Sequence, residues 1–345
     1  MTDQVQINEA HQITESFLGY RPLAYTDSKG GFVTNEHGYV VLENARGMRT
    51  NSLLRKDEWE KLDAAVLQAA VGRLNAIERL QSNAALNEKL PSIGVLVSQY
   101  NQASEMTRPT VSLTGRGAPD LDRVDYDLVG VPIPVIHKEF SIGERELAAS
   151  RMGMGGGGID ISNAYAASRV VAEELERIFF NGDTTISLNQ NILYGVTNET
   201  NINTGVATGD FGTLNNQVPT FRAMITAAVA DNYFGPYEFW VARTQYEEMA
   251  LNFYTDGSGD SGLDRVMKMH DINQIHPSDW MTAGTLVLVT MDPNVIDLQW
   301  YSMNQVIEWA SPDGMSHSFK IMTIAAPRVK SDFNGASGIV YYTGA

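Results

Sequence analysis

Three sets of residues in this chain have types and spacings that could do chemistry. Gly153-Met154-Gly155-Gly156-Gly157-Gly158 matches G-x-G-x-x-G, a pattern that lets a dinucleotide pyrophosphate approach the start of a helix. That use requires a strand before the glycines, and here a charged helical stretch, residues 143–151, precedes them. The run reads as a hinge before a helix. Asp256, Ser258 and Asp260 are spaced like the first ligands of a calcium loop. Such a loop needs Gly at position six and Glu at position twelve, where this chain has Ser261 and Met267. A flexible acidic surface loop is the simpler reading. The six histidines, His11, His37, His137, His270, His276 and His317, form no H-E-x-x-H and no pair with metal-site spacing. They read as surface or packing residues. There is no phosphate loop of the G-x-x-x-x-G-K-[ST] type and no G-x-S-x-G elbow. The chain has no cysteine, which excludes disulfides, thiol catalysis, Cys-ligated zinc and iron–sulfur clusters. The expectation is a protein without catalytic residues, cofactor or metal.

Composition narrows the partners. The 345 residues include 25 Lys and Arg against 41 Asp and Glu, a formal net charge of −16. That balance argues against a dedicated nucleic-acid reader and against docking on an anionic membrane. It leaves open a protein that merely encloses nucleic acid. The polar, acidic N-terminus lacks the basic segment and apolar run of a signal peptide. No window approaches the ~20 apolar residues of a membrane helix. A soluble protein folding in a reducing cytoplasm is expected.

The elements that must carry these residues are uneven. Residues 1–50 mix polar runs with the isolated aromatics Phe17, Tyr20, Tyr25, Phe32 and Tyr39, and a hairpin fits 31–42. The remainder looks like an arm too poor in apolar residues for its own core. It needs a neighbouring subunit, or its own chain, to lie on. One long helix is expected over 56–86, with Trp59, Leu62, Val66, Ala70, Leu74 and Ile77 at helical spacing and Gly72 as its weak point. Ile93, Val95 and Val97 alternate like a strand. A Gly/Pro-rich tip follows, then an extended run from Val124 to Ile136 interrupted by Pro132 and Pro134. Together these predict a long two-stranded ribbon, which is marginal alone and needs a surface to rest on.

Beyond a short helix at 143–151, the clearest element is a helix over 160–181. Asp160 or Ser162 can cap it. Ala164, Ala167, Val171, Leu175 and Ile178 form its apolar stripe, Arg169/Glu173 and Glu173/Arg177 are ion-pair candidates, and Gly182 is its stop. Further on, helices are expected near 219–231, 244–254 and 262–269. Buried strands are expected at 237–241 and 285–289, and more strands near 305–309, 317–330 and 338–343. Without βαβ alternation the class is α+β.

The order of these parts resembles the superfamily of tailed-bacteriophage major capsid proteins and encapsulins, the Hong Kong 97-like fold, over about residues 56–345. The resemblance is carried by the Asp57-Glu58-Trp59 helix start and by Pro134-Val135-Ile136 followed by Glu139-Phe140. The Glu144–Leu147 helix, the Glu173–Gly182 helix end and Gly235-Pro236-Tyr237 add to it. It implies an N-terminal arm (1–55), an N-terminal helix region (56–91) and an extended E-loop ribbon (92–132). It implies a P-domain (133–189) with spine helix 160–181, a region that is mainly A-domain (190–320), and C-terminal strands returning to the P-domain (321–345).

The implied function is self-assembly into pentamers and hexamers of an icosahedral head shell enclosing a double-stranded DNA genome. An encapsulin-type compartment around a protein cargo is the alternative, and an enzyme with a carboxylate site is a third. The N-terminal extension ahead of the Trp-bearing helix favours the phage coat. Portal, scaffolding and decoration proteins would be partners, packaged DNA would be touched only non-specifically, and the location would be the virion, assembled in the bacterial cytoplasm. No obvious scaffolding domain precedes the fold. Candidate subunit contacts are Arg108, Arg116 and Arg123, concentrated near the ribbon tip of an acidic chain, and Phe17, Tyr20 and Tyr25 of the arm.

Overall fold

The computed structural model describes residues 62, 64–66, 75–104, 106–109, 111, 113–114, 122–147, 162–255, 259–311 and 315–345. The expected hairpin at 31–42, Phe17, Tyr20, Tyr25, Arg116, the glycine run at 153–158, Asp256 and Ser258 lie outside these. The chain divides into two units. One comprises residues 1–66, 139–167 and 306–321; the other comprises 67–138, 168–305 and 322–345.

The second unit is built on a five-stranded sheet in the order β7-β13-β10-β8-β9. Its strands are β7 (Asn203–Val206), β8 (Tyr237–Ala242), β9 (Ile272–Ser278), β10 (Thr285–Thr290) and β13 (Ile339–Thr343). The runs YEFWVA and TLVLVT are apolar on both faces, so they suit central strands covered on both sides, and every residue of β8 and β10 is buried. β8, β10 and β13 pair antiparallel, with Leu288 opposite Phe239 and Val340. β7 and β9 pair parallel at the edges.

One core packs Phe239, Val241, Leu286, Leu288 and Val340 with Phe221, Met224 and Ala228 of helix α3 (Leu214–Ala230). Met249 of α4 (Arg243–Leu251) and Val266 of α5 (Gly262–Met267) complete it. The Phe221 and Phe239 rings are 4.7 Å apart. Trp240, between Phe239 and Val241, points to the other face, where it meets Phe179 at 5.8 Å. Each such side chain contributes roughly 1.5–3 kcal/mol by leaving water.

Phe179 stands in the last turn of helix α2 (Ser162–Asn181). The predicted stripe from Ala164 to Ile178 is buried. Arg169 and Glu173 pair at 3.4 Å. Arg177, expected to pair with Glu173, turns instead to Glu174 at 2.6 Å and Asp183 at 3.5 Å, because the chain folds back at Gly182 and brings Asp183 under the helix end. Gly182 has φ +61°, and a Cβ there would stand 2.5 Å from the Leu193 carbonyl oxygen, so the stop requires glycine.

Several expectations are corrected. Helix α1 spans Asn75–Ser82 and ends short of the expected residue 86; most of 56–74, with Trp59, Ala70, Gly72 and Leu74, lies outside the described residues, and Leu62 and 64–66 are helical. Ala76 and Ile77 donate their N–H groups to Glu176. The helix is followed by a 3₁₀ turn at Ala84–Leu86, capped by Asn83. The alternating residues from Ile93 are a turn, with Ser92 Oγ accepting from Gly94 N, and strand β2 runs from Val97 to Ala103. α3 starts at Leu214 and carries Pro219 within its second turn. α4 and α5 end before 254 and 269.

The strand expected at 305–309 is the end of β11 (Ile296–Ala310), beside β12 (Ser316–Val329) in a sheet ordered β1-β11-β12-β4. Here β1 is Asn87–Lys89 and β4 is Val135–Gly143. β1, β7 and β9 were not expected, nor was the hairpin of β5 (Asp183–Leu188) and β6 (Asn191–Leu193). In the first unit, residues 144–147 are helical and Phe140 stacks on Phe319 at 5.2 Å.

Candidate functional site: the ribbon and its ionic anchor

Strand β2 pairs antiparallel with β3 (Tyr126–Pro132), from Val97↔Pro132 to Ala103↔Tyr126, as a separate two-stranded sheet. Side chains alternate between its faces. One face carries Ser98, Tyr100 and Gln102 of β2. It lies on the segment at 328–331, with Tyr100 Oη donating to the Val329 carbonyl at 3.4 Å and Gln102 Nε2 to Ser331 Oγ at 2.8 Å. The opposite face carries Tyr126 and Leu128, which are 71% and 55% exposed. Ile93, Leu96, Met106, Val111, Leu113 and Val135 extend the exposed apolar surface along the same segment. Exposed large apolar residues concentrated in one segment are the kind of surface that partners cover.

The ribbon is fixed at its base by a buried guanidinium. Arg328 Nε and Nη2 donate to Asp297 at 2.9 and 2.6 Å, Nη1 to Ser98 Oγ at 2.9 Å, and Nη2 to Glu88 at 3.0 Å. Arg328 is 6% exposed and Asp297 3%. Lys330 adds a second cation 2.5 Å from Asp297. Gln299 bridges Glu88 and Asp297 at 2.7 and 3.2 Å. Charges this deep are tolerated because they are paired and their donors are used.

Beside the anchor, Gly130 N donates to Asn191 Oδ1 at 3.1 Å, which lays β3 on the β5–β6 hairpin. A Cβ at Gly130 would stand 2.6 Å from Val97 Cγ1. The hairpin turns through Asn189 and Gln190 at φ 51° and 70°, the handedness that two-residue β-loops favour.

Towards the tip, Asp122 accepts from Thr107 N at 2.5 Å and from Arg123 N at 2.8 Å. These bonds hold its carboxyl below the usual carboxylate range. Arg108 and Arg123 are both exposed, each beside or at a residue whose backbone this carboxylate holds. The spacing of the arginines marked the tip. It did not reveal Tyr126 and Leu128, nor the Arg328 anchor. The available signal was a charge inside an apolar run: Asp297 in VIDLQW and Arg328 in IAAPRV.

Two other carboxylates are buried in the same unit. Glu238 of β8 receives Arg79 Nε at 2.8 Å and Asn273 Nδ2 at 2.7 Å, and His276 Nε2 lies 3.5 Å away. Burial alone would raise its pKa, but these partners outweigh it and hold the carboxyl at about 2. Glu176 of α2 receives Ala76 N at 2.8 Å and Ile77 N at 3.3 Å. Here burial dominates and the carboxyl is pushed up to about 7.

The remaining sequence candidates are dispersed. Asp260 pairs with Lys268 at 2.6 Å, and Ser261 caps α5 through a reciprocal pair of bonds with Asp264. His317 lies in the first unit between Glu144 at 3.1 Å and Glu308 at 3.4 Å. Among the described residues no group of three or more His, Asp or Glu could hold a metal ion. No described helix is long and apolar enough to cross a membrane.

Among solved structures the chain is similar to the virus-like particle from Pyrococcus furiosus, with a TM-score of 0.58 and 15% identity over 82% of this chain and 98% of that one. It is also similar to the capsid of Myoviridae phage XM1, with a TM-score of 0.58 and 12% identity over 79% and 92%. The capsid of a native GTA particle gives a TM-score of 0.53 and 12% identity over 89% and 95%. At these identities the likeness establishes the fold, which is the α+β Hong Kong 97-like capsid fold that the order of elements resembled. No curated protein matches the sequence. A family model matches residues 48–342, most of the chain, and the chain belongs to that family, DUF6260, described as a family of unknown function.

Proposed function

We propose that this chain is a structural shell subunit, the major capsid protein of a tailed bacteriophage, and that it acts by self-assembly rather than catalysis. The observation that carries the reading is the ribbon. It is anchored by a fully engaged buried arginine, yet it leaves Tyr126, Leu128, Ile93 and Leu96 in water. A second copy of the chain covers that face. On this reading residues 1–55 are the arm, 92–132 the E-loop, 133–189 the P-domain with its spine helix, 190–320 mainly the A-domain, and 321–345 the returning strands. Arg108, Arg116 and Arg123 set the register of the tip on the neighbour, since charge across an interface gives specificity more than affinity. Phe17, Tyr20 and Tyr25 fasten the arm.

The like-signed net charge of −16 suits an inner wall that confines packaged DNA without gripping it. Portal, scaffolding and decoration proteins are the further partners, and the virion is the location, after assembly in the host cytoplasm. The full chain, expressed and passed over a sizing column, should elute as closed shells visible by electron microscopy. A folded monomer at micromolar concentration would overturn the proposal. Nuclease-protected genomic DNA inside the shells marks a virion, whereas a protein cargo without it marks the encapsulin-type alternative.

A further inference from the structure

Three polar side chains hold the inner face of the ribbon, and all of them belong to β2. Ser98 Oγ accepts from Arg328 Nη1 at 2.9 Å, Tyr100 Oη donates to the Val329 carbonyl at 3.4 Å, and Gln102 Nε2 donates to Ser331 Oγ at 2.8 Å. Alternate residues of a strand lie in a row, so these contacts define a line along β2. A body held along a line is still free to roll about it. Rolling would lift β3 and turn the face that carries Tyr126 and Leu128. Val131 of β3 is buried, but apolar burial is non-directional and fixes no angle.

The roll is stopped from the side of β3 by one residue. Among the described contacts, the one hydrogen bond from β3 to a group outside the ribbon runs from Gly130 N to Asn191 Oδ1. Gly130 is two residues from Leu128 and so shares its face. A Cβ there would stand 3.0 Å from Asn191 Oδ1. Asn191 therefore lies against the outer face where that face lacks a side chain, while the segment at 328–331 lies under the inner one. The amide of Asn191 is itself fixed. Its Nδ2 donates to the carbonyls of Leu188 and Asn189, at 3.1 and 3.3 Å, across the turn of the β5–β6 hairpin. Turning the amide over would set a donor against the Gly130 N–H and an oxygen against two carbonyls, so one orientation satisfies all three partners.

We propose that Asn191 is a positioning residue for assembly, which fixes the angle at which the ribbon offers Tyr126 and Leu128 to a second copy. The proposal rests on the shell reading. A closed assembly needs the same interface angle in every copy, since a rotation that does not close leaves an open one. Arg328 keeps the ribbon on the subunit, and Asn191 sets its direction.

The test uses the full chain and Asn191→Asp, which keeps the size of the side chain and an acceptor for Gly130 but sets an oxygen against the two turn carbonyls. The chain has no cysteine, so cysteines introduced at the exposed positions Asp125 and Thr226 are the sole attachment points for a pair of spin labels. Labelled chain is diluted into an excess of unlabelled chain, so that distances within one copy are read. The native background should give one narrow distance, and Asn191→Asp a broadened or displaced one. The same narrow distance in both would overturn the proposal. Electron microscopy of the unlabelled proteins reads the consequence, with one particle size expected for the native chain and mixed sizes or open sheets for the variant. Native-size shells from the variant would overturn it as well. A native chain that forms no shells refutes the shell reading instead, and the label distances still decide whether Asn191 directs the ribbon. Should Asn191→Asp fail to fold, Gly130→Ala strains the same contact from the ribbon side, because its added Cβ meets Asn191, and it is read in the same way.

Discussion

In β8 and β10 every side chain is buried, and Leu288 has Phe239 and Val340 as its cross-strand neighbours. In β2 and β3 the same kinds of residue, Tyr126 and Leu128, stand in water while the polar face is turned inward onto 328–331. The sheet uses its apolar area to hold itself. The ribbon is held by charge and hydrogen bonds at its base, and its apolar area is left for another surface. Deleting similar apolar groups in the two regions should therefore have unrelated effects.

The largest loss should come from the sheet. Phe239→Ala removes a ring in contact with Phe221 and should cost about 3–5 kcal/mol in denaturant unfolding. A loss below about 1 kcal/mol would mean that the sheet relaxes around the cavity and is no tighter than the ribbon.

The anchor comes next. Arg328→Ala leaves Asp297 buried with Lys330 as its remaining cation, and should cost about 3 kcal/mol because an incompletely paired charge stays inside. The paired change Arg328→Met with Asp297→Leu should cost less than Arg328→Ala alone. A larger cost for the pair would show that the ions themselves stabilise the base of the ribbon.

A smaller change belongs to Glu238. Its carboxyl is held at about 2 against an ordinary 4.5, so its contribution is present above 4.5 and is lost as pH falls towards 2. Glu238→Gln should flatten that acid limb in a pH series of unfolding curves. An unchanged limb would separate Glu238 from acid unfolding.

The smallest effect on stability should follow Tyr126→Ser and Leu128→Ser, within about 0.5 kcal/mol, as for other exposed positions. The same pair should abolish or strongly slow shell formation on a sizing column. Normal assembly would remove the ribbon face from the interface and erase the contrast between the two regions.

The legibility of these regions differs for a physical reason. β8, β10 and α2 were readable because burial on both faces, or a helical stripe, leaves a local pattern such as TLVLVT. β1 and β7 are three- and four-residue parallel strands whose partners lie in β11 and β13. NEK and NTGV carry no apolar alternation, since tertiary pairing alone makes them strands. The helix expected to run to 86 stops at Ser82, where Asn83 caps a 3₁₀ turn instead. The ribbon was legible through its prolines and its Gly-rich tip, but its anchor joins residues 88, 98, 297 and 328, separations at which no spacing rule operates. The contacts that His317 makes with Glu144 and Glu308 likewise join residues too distant in sequence for a spacing rule.

Strand β13 lies between β7 and β10, yet it follows both in the sequence by a wide margin. During synthesis the sheet therefore cannot close by adding strands in order. The edges of β7 and β10 wait, unpaired, until residues 339–343 have left the ribosome and threaded between them. Open edges of that kind invite pairing with the wrong chain, so nascent copies need to be kept apart until the late strand is in place. The same order acts as a checkpoint. A copy truncated before residue 339 lacks the middle of its sheet rather than its margin.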